Sequence, residues 1–482
     1  MGIRSNLVQG NLEDFSFTVD IPRLDPSEMS GSTGNISMST RPLPDYPFLR
    51  NQPLVIEDDL FGSASGRVSE VSESPEGLQI TGETTLRRLN ANIVYQAKIN
   101  QSTQAAMNAA LAPAGFTTSG LSNLDTQNDM PGWTGTILDF VKHFCSARNK
   151  EYYVDPANEN VLVFRDIRTT SFSAKGVSAQ RDTLNDQNLA LTAQVIYREV
   201  MSATNESREF YPAFAESEPQ ILTVNPGETV EYDIRVNGWF SSFNQPEVLD
   251  FVGPEERSND VGAYCVVGSD GLPIMASQWV ATGGSLRLQL TDDPSLVKVV
   301  LTAPPVQSLK DPDGITDRFG PYSIGATSGE GKFYNSLHIT GQGIRYNVHT
   351  LTFPTGAVSD VTIEEVGAVI DNPFALDLAT AYNLGVRAAQ VFAGPSRTLA
   401  TSFVPDSNQL PDTLGSRPVY NSTPFRIESV TVTPGGLTAT ATADSTLGEL
   451  DVLWAGKTLG EYDTLWTTKT FNEQAAVPLW RV

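Results

Sequence analysis

Between residues 220 and 305 the chain is broken repeatedly by turn-forming sequences, Asn225-Pro-Gly, Asp270-Gly, Gly283-Gly and Asp292-Asp-Pro. The segments between them, 221–224, 230–236, 264–267, 278–280, 286–290 and 297–301, are short and rich in β-branched and aromatic residues. That spacing predicts short antiparallel strands closing into a small β-sandwich, inserted into the surrounding fold. A Pro-rich link from Pro304 to Pro312 closes the block.

The same punctuation runs through the whole chain. With 38 Gly, 30 Pro and only 18% charged residues, it reads as mainly β with a few helices, an α+β chain of several domains. Its 482 residues suit about three domains by length alone, and all-β domains can be larger than that rule suggests. The divisions fall as an N-terminal β domain (1–100), a helix–hairpin domain (101–204), the inserted β-sandwich (205–330), a further domain with a long helix at 373–393 (331–445), and a C-terminal repeat and tail (446–482).

Alternation at Phe15, Phe17 and Val19, and at Ile36 and Met38, marks early strands. Residues 54–62 and 66–72 read as strands about a Gly/Ser turn, followed by 77–82, an antiparallel meander. Ser102 is an N-cap for a short helix that Pro113 stops. Ile137, Phe140, Val141 and Phe144 lie at helical spacing, with a hairpin after them at 152–154 and 161–164. The long helix is expected to start at Asn372 as N-cap with Pro373 at its first position, and to end at Gly394-Pro395. Its stripe is Phe374, Leu378, Ala381, Tyr382, Gly385, Ala389 and Phe392, and its polar face, with Arg387, meets water or another subunit. Residues 425–432 and 437–442 form a hairpin leading to the tail.

The tail repeats itself. Thr446-Leu-Gly-Glu-Leu-Asp-Val-Leu-Trp-Ala-Gly-Lys is followed by Thr458-Leu-Gly-Glu-Tyr-Asp-Thr-Leu-Trp-Thr-Thr-Lys, and Thr470-Phe-Asn-Glu begins a third unit. Twelve residues are too few for a coil with its own core, so each unit is a strand-and-turn element whose Trp packs elsewhere. Trp454, Trp466 and Trp480 are therefore candidate packing or interface anchors.

No catalytic, cofactor or metal set emerges. Gly62-Ser-Ala-Ser-Gly66 has Ala64 where a nucleophile elbow needs its serine. Gly329-Glu-Gly331-Lys332 departs from a phosphate loop at Ala326 and Phe333, and Gly341-Gln-Gly343 has Tyr346 in place of the third glycine of a dinucleotide fingerprint, which makes it a bulged strand. His143, His338 and His349 share no ligand spacing, and Asp311-Pro-Asp-Gly314 lacks the register of a calcium loop. Glu364-Glu365 alternates across a strand, as at an exposed edge. The chain is read as a non-enzyme.

The net charge of −24 repels phosphate backbones, which argues against sequence-specific nucleic-acid binding. Cys145 and Cys265 make no disulfide framework, and no segment has the apolar length of a membrane span or a secretory leader. Synthesis and folding in the cytoplasm are expected.

The order of elements resembles a known family. Gly66-Arg-Val-Ser-Glu-Val, Thr81-Gly-Glu-Thr-Thr-Leu-Arg-Arg-Leu89, the helix–hairpin at 137–164 and the helix at 372–394 are similar to tail-tip hub proteins of long-tailed, siphovirus-like bacteriophages. The Leu-Trp-x-x-Lys-Thr endings at 453–458 and 465–470 resemble minor tail proteins of actinobacteriophages. The resemblance implies tube-like antiparallel β domains, a homotrimer at the tail tip, assembly in the host bacterial cytoplasm, and partners among tail-tube, distal-tail ring, tape-measure and receptor-binding proteins. Many such hubs continue into a peptidoglycan-degrading domain or fibre, whereas this sequence stops at Val482, so enzymatic activity is not expected.

A second reading is a binding module for host cell-wall carbohydrate. Trp239, Phe240 and Phe243, with Trp279, are then platforms for sugar rings; the competing assignment buries the same rings as sandwich core.

Overall fold

The computed structural model describes residues 2–5, 8–11, 17–20, 35–40, 51–58, 62–74, 77–121, 127–155, 158–167, 171–172, 178–185, 190–211, 220–236, 238–250, 262–324, 337–354, 367–392, 396–402, 417–420, 423–433 and 436–443. They form a mainly β protein with a few helices, built from several sheets around separate hydrophobic cores. The repeat at 446–482 and Trp454, Trp466 and Trp480 lie outside the described residues, as do Lys332 and Glu364-Glu365.

A six-stranded sheet near the N-terminus carries the expected meander, Pro53–Asp58, Gly62–Ser74 and Gly77–Thr84, with Ser74 opposite Gly77 at the hairpin end. The Gly/Ser run at 62–66 is not a turn. It lies within the strand Gly62–Ser74, where small residues pair in register with residues 54–58. Phe17–Asp20 leaves this sheet and pairs with Thr423–Thr433, so the ends of the chain share a seven-stranded sheet.

The next core is helical on one side. Helix α1 (Thr103–Leu111) starts where Ser102 Oγ accepts the Ala105 N–H at 3.2 Å. Helix α2 (Ile137–Arg148) is capped by Thr136, whose Oγ accepts the Asp139 N–H at 3.0 Å and donates to Asp139 Oδ2 at 2.7 Å. It ends at Asn149, in the left-handed conformation with φ 53°. The stripe Ile137, Phe140, Val141 and Phe144 is buried, and Phe140 and Phe144 both meet the edge of Phe374. Burial of each such side chain contributes about 1.5–3 kcal/mol. The hairpin Lys150–Asp155 with Asn158–Asp166 closes this core.

Glu151 joins that hairpin to the seven-stranded sheet. Its buried carboxylate accepts from buried Arg426 Nη2 at 2.6 Å and from the partly exposed Arg165 Nε, which makes an Arg–Glu–Arg triad.

The main core of the block between 220 and 324 is made by the antiparallel strands Thr229–Arg235, Leu296–Thr302 and Ser285–Leu290 together with the pair Leu222–Val224 and Tyr322–Ile324, beside a small cluster of Ala263, Cys265 and Leu249. One strand expected there is a helix instead: residues 278–280 belong to α3 (Ala276–Ala281). The side chain of Trp279 decides this. It is fully buried, edge-on to Tyr322, with its backbone N–H on Met275 O, and Gly284 lies so close that a Cβ there would sit 2.3 Å from the indole.

The strands Thr192–Tyr211 and Ile339–Pro354 bracket this block in sequence and pair with each other as a long antiparallel ribbon. Gly238–Phe243 adds to one side and Ala368–Asp371, running parallel, to the other. Helix α4 packs on one face of the ribbon, over Ala193, Val195, Tyr197 and Ile370. It spans Leu378–Phe392, five residues shorter at its start than the expected 373–393. Asn372 Oδ1 accepts the Phe374 N–H at 2.9 Å and forms a turn, while Asp377 Oδ1 accepts the Thr380 N–H at 2.7 Å and caps the helix. Two expected stripe residues therefore change role. Phe374 enters the helix–hairpin core, and Leu378 is exposed at the helix start. At Arg387 the polar face turns inward: its buried guanidinium donates to Asn149 Oδ1 at 2.6 Å and to Ser146 O. A cation there sits at the negative end of α2.

Candidate functional site

Beyond the end packed by Trp239 and Tyr346, the face of the ribbon opposite α4 carries no covering element among the described residues. Residues paired side by side share a face, so Gln194, Ile196 and Arg198 stand beside Thr352, Thr350 and Val348, and Gln194 also beside Val369. Val348 is 56% and Val369 57% exposed, Thr350 and Thr352 are exposed, and Ile196 is partly so. β-Branched residues fit a pleated, half-buried surface, and here Val348 and Val369 stand exposed on one face with Gln194 and Arg198 between them.

One end of this face is held rigidly. Arg198 makes a two-pronged ion pair with Asp371, Nη1 to Oδ1 at 2.5 Å and Nη2 to Oδ2 at 3.2 Å. Its guanidinium carbon lies 5.8 Å from the Trp239 ring and 5.9 Å from that of Tyr346. Burial acts to lower its pKa, but the Asp371 carboxylate, with Tyr346, outweighs this and holds the guanidinium above its ordinary value. Beyond the end of Ala368–Asp371, the amides of Arg198 and Val200 donate to Ala375 O and Leu376 O, which covers the ribbon edge there.

Trp239 and Phe240, read above as a possible sugar platform, offer no ring face to a glycan. Consecutive strand residues point to opposite sides, and these two enter different cores. Trp239, 5% exposed, packs with Ala97, Ile344 and Tyr346, its ring 4.3 Å from the tyrosine. Phe240 is fully buried in the core of the 220–324 block, 4.2 Å from Phe210. Phe243 packs partly buried against that core, edge-on to Phe240 at 6.2 Å. The pair rivets the block to the ribbon. Gly343, with φ 156°, makes the fit possible, since a Cβ there would lie 2.2 Å from Trp239 O.

The remaining sequence candidates are separate from one another. Among the described residues no group of three or more His, Cys, Asp or Glu is placed to hold a metal. His143 lies against Trp133 with Nδ1 enclosed and without a hydrogen-bond partner among the described residues, and burial lowers its pKa to about 4. His338 is buried, and His349 stacks on Tyr197 with Nε2 3.0 Å from Glu199. Asp311 closes a tight turn: it accepts the Ile315 N–H at 2.8 Å and faces Arg318. Desolvation alone would raise its pKa, but the amide hydrogen bonds and Arg318 hold it below the ordinary value. Cys145 and Cys265 are both buried, and burial pushes the Cys265 thiol up to about 12.

No protein-family model matches the chain, and no curated protein matches it. Among solved structures it is similar to the 43 kDa tail protein of prophage MuSo2 from Shewanella oneidensis, at 10% identity and TM-score 0.38, over 92% of this chain and 97% of that one. It is also similar to prophage tail protein gp18 from Listeria monocytogenes, at 9% identity and TM-score 0.38, over 97% and 98%. A lidless PdpA–VgrG complex follows at 9% identity and TM-score 0.26, over 92% and 98%. Likeness at this level assigns neither family nor function.

Proposed function

We propose that this chain is a structural subunit of the tail tip of a long-tailed bacteriophage, a hub-type protein that closes the tail tube and opens for DNA ejection. In this reading it has no enzymatic activity, is made in the host bacterial cytoplasm, and works as a homotrimer between tail-tube, tape-measure and distal-tail ring proteins and the receptor-binding proteins. The observation that carries the reading is the open ribbon face with Val348 and Val369 exposed beside Thr350 and Thr352, supported on its other side by α4. A face of this kind, with β-branched Ile196, Val348, Thr350, Thr352 and Val369 standing among Gln194 and Arg198, suits burial against a second copy of the chain, since interfaces combine an apolar centre with polar groups around it. The order of elements described for the sequence supports the tail-tip assignment.

The test is the oligomeric state of the purified full chain across a wide concentration range. The expected species is a trimer that Val348→Glu together with Val369→Glu dissociates. A stable monomer that binds no tail-tube protein would sink the proposal.

A further inference from the structure

Three arginines line a cavity of about 360 Å³ where the N-terminal sheet meets the helix–hairpin core. Arg67 comes from the strand Gly62–Ser74, and Arg87 and Arg88 from the 3-10 turn Thr85–Asn90. Asn51 and Thr85 complete the lining. In a chain of net charge −24, such a concentration of guanidinium groups runs against the average.

The partners of Arg67 and Arg88 aim them more than they neutralise them. Arg67 Nη1 donates to Asn51 O at 3.3 Å, Arg87 Nη2 to Asn51 Oδ1 at 3.2 Å, and Arg88 Nη1 to Asn160 Oδ1 at 2.9 Å. Arg88 also lies 5.3 Å over the Phe116 ring, which fixes its plane. The second Nη of Arg67 and that of Arg88 converge on one oxygen, Glu159 Oε1, at 3.7 and 3.8 Å. Both distances are too long for hydrogen bonds, so the carboxylate faces the two cations without saturating them. Thr85 is part of the wall: its hydroxyl donates to Glu159 O at 3.2 Å.

We propose that this cavity is a binding site for a phosphoryl group. Guanidinium groups arriving from a strand and from a 3-10 turn approach from different directions, as the oxygens of a tetrahedral oxyanion require. A phosphoryl oxygen between the two converging Nη2 groups makes the short, charge-assisted hydrogen bonds that Glu159 does not. The Glu159 side chain, 29% exposed, has solvent to turn into. The phosphoryl group has two sources, a small phosphate or diphosphate and the backbone of DNA. The overall negative charge opposes the second.

Titration calorimetry of the full chain at fixed ionic strength, with pyrophosphate in one arm and a short DNA duplex in the other, tests the site. Saturable binding of pyrophosphate is expected, weakened about tenfold or more by Arg67→Gln and by Arg88→Gln, and unchanged by Arg287→Gln, an exposed charge elsewhere. Binding of DNA alone with the same dependence on Arg67 and Arg88 keeps the site and makes DNA the source. No binding of either probe, or equal binding by the arginine variants, overturns it. Circular dichroism checks each fold; should Arg88→Gln unfold, the more exposed Arg67→Gln decides the outcome.

Discussion

Removing the charge of Glu151 tests the packing of the hairpin against the seven-stranded sheet. Glu151 is 2% exposed and lies between Arg426, at 2.6 Å, and Arg165, so Glu151→Gln keeps the shape and leaves two guanidinium groups facing a neutral amide. At an effective dielectric constant near 20, two unit charges 4 Å apart interact by about 4 kcal/mol, and breaking a buried pair from one side costs about 3–5 kcal/mol. The amide oxygen retains one hydrogen bond, which puts the expected loss near the lower end, about 3 kcal/mol. The assay is urea unfolding of the full chain followed by fluorescence and circular dichroism, with attention to separate transitions because several cores are present. The transition that contains the helix–hairpin core should move to lower urea at unchanged slope. Replacing all three residues by Met should recover part of the loss, because no charge is then stranded. A Glu151→Gln protein within about 0.5 kcal/mol of the wild type would refute the reasoning, since that is the range of changes at ordinary surface positions.

Three further outcomes follow from single side chains. His143 has its folded pKa lowered to about 4 from 6.5 by burial; Asp139 and Asp371 oppose the shift, and Arg198 and Lys142 add to it. The unfolded chain therefore binds the proton first as pH falls, and stability drops between about pH 6.5 and 4 by up to roughly 3 kcal/mol, a slope that His143→Phe should reduce in urea titrations at several pH values. Gly385→Ala should destabilise by about 1–3 kcal/mol, because its Cβ would lie 2.0 Å from the Phe353 ring; an unchanged melting curve would show that α4 does not press on the ribbon there. Cys145 and Cys265 should resist a thiol reagent in the native chain and react only in denaturant, since both are buried and their thiols are held protonated.

What the sequence made legible was local. Ser102 announces α1 because its side chain caps an amide three residues on, and the stripe from Ile137 to Phe144 announces α2 because its spacing matches one helix face. The start of α4 misled because Asn372 and Asp377 are both competent caps and Pro373 fits a first turn; contact of Phe374 with Phe140 and Phe144 in another core makes Asn372 a turn instead. Helix α3 is six residues long, too short to show a period, and only the burial of Trp279 accounts for it. The alternation at Trp239 and Phe240 marked a strand, but which core each ring enters depends on distant partners. The Glu151–Arg426 pair spans 275 residues, and Arg88 of the cavity is oriented by Asn160, 72 residues away. No pattern within a window reports such pairings. The open ribbon face likewise emerged only once strand register was known, because Ile196, Val348 and Val369 come from three separate strands.

The account stands or falls on where the protein sits in an assembled particle. Electron cryomicroscopy of the virion, with the chain located by its ribbon and α4, measures this directly. The expected result is three copies around the axis at the distal end of the tail tube, with the Val348 and Val369 face buried between copies. Absence from the virion, or a position away from the tail tip with that face turned to solvent, would contradict it.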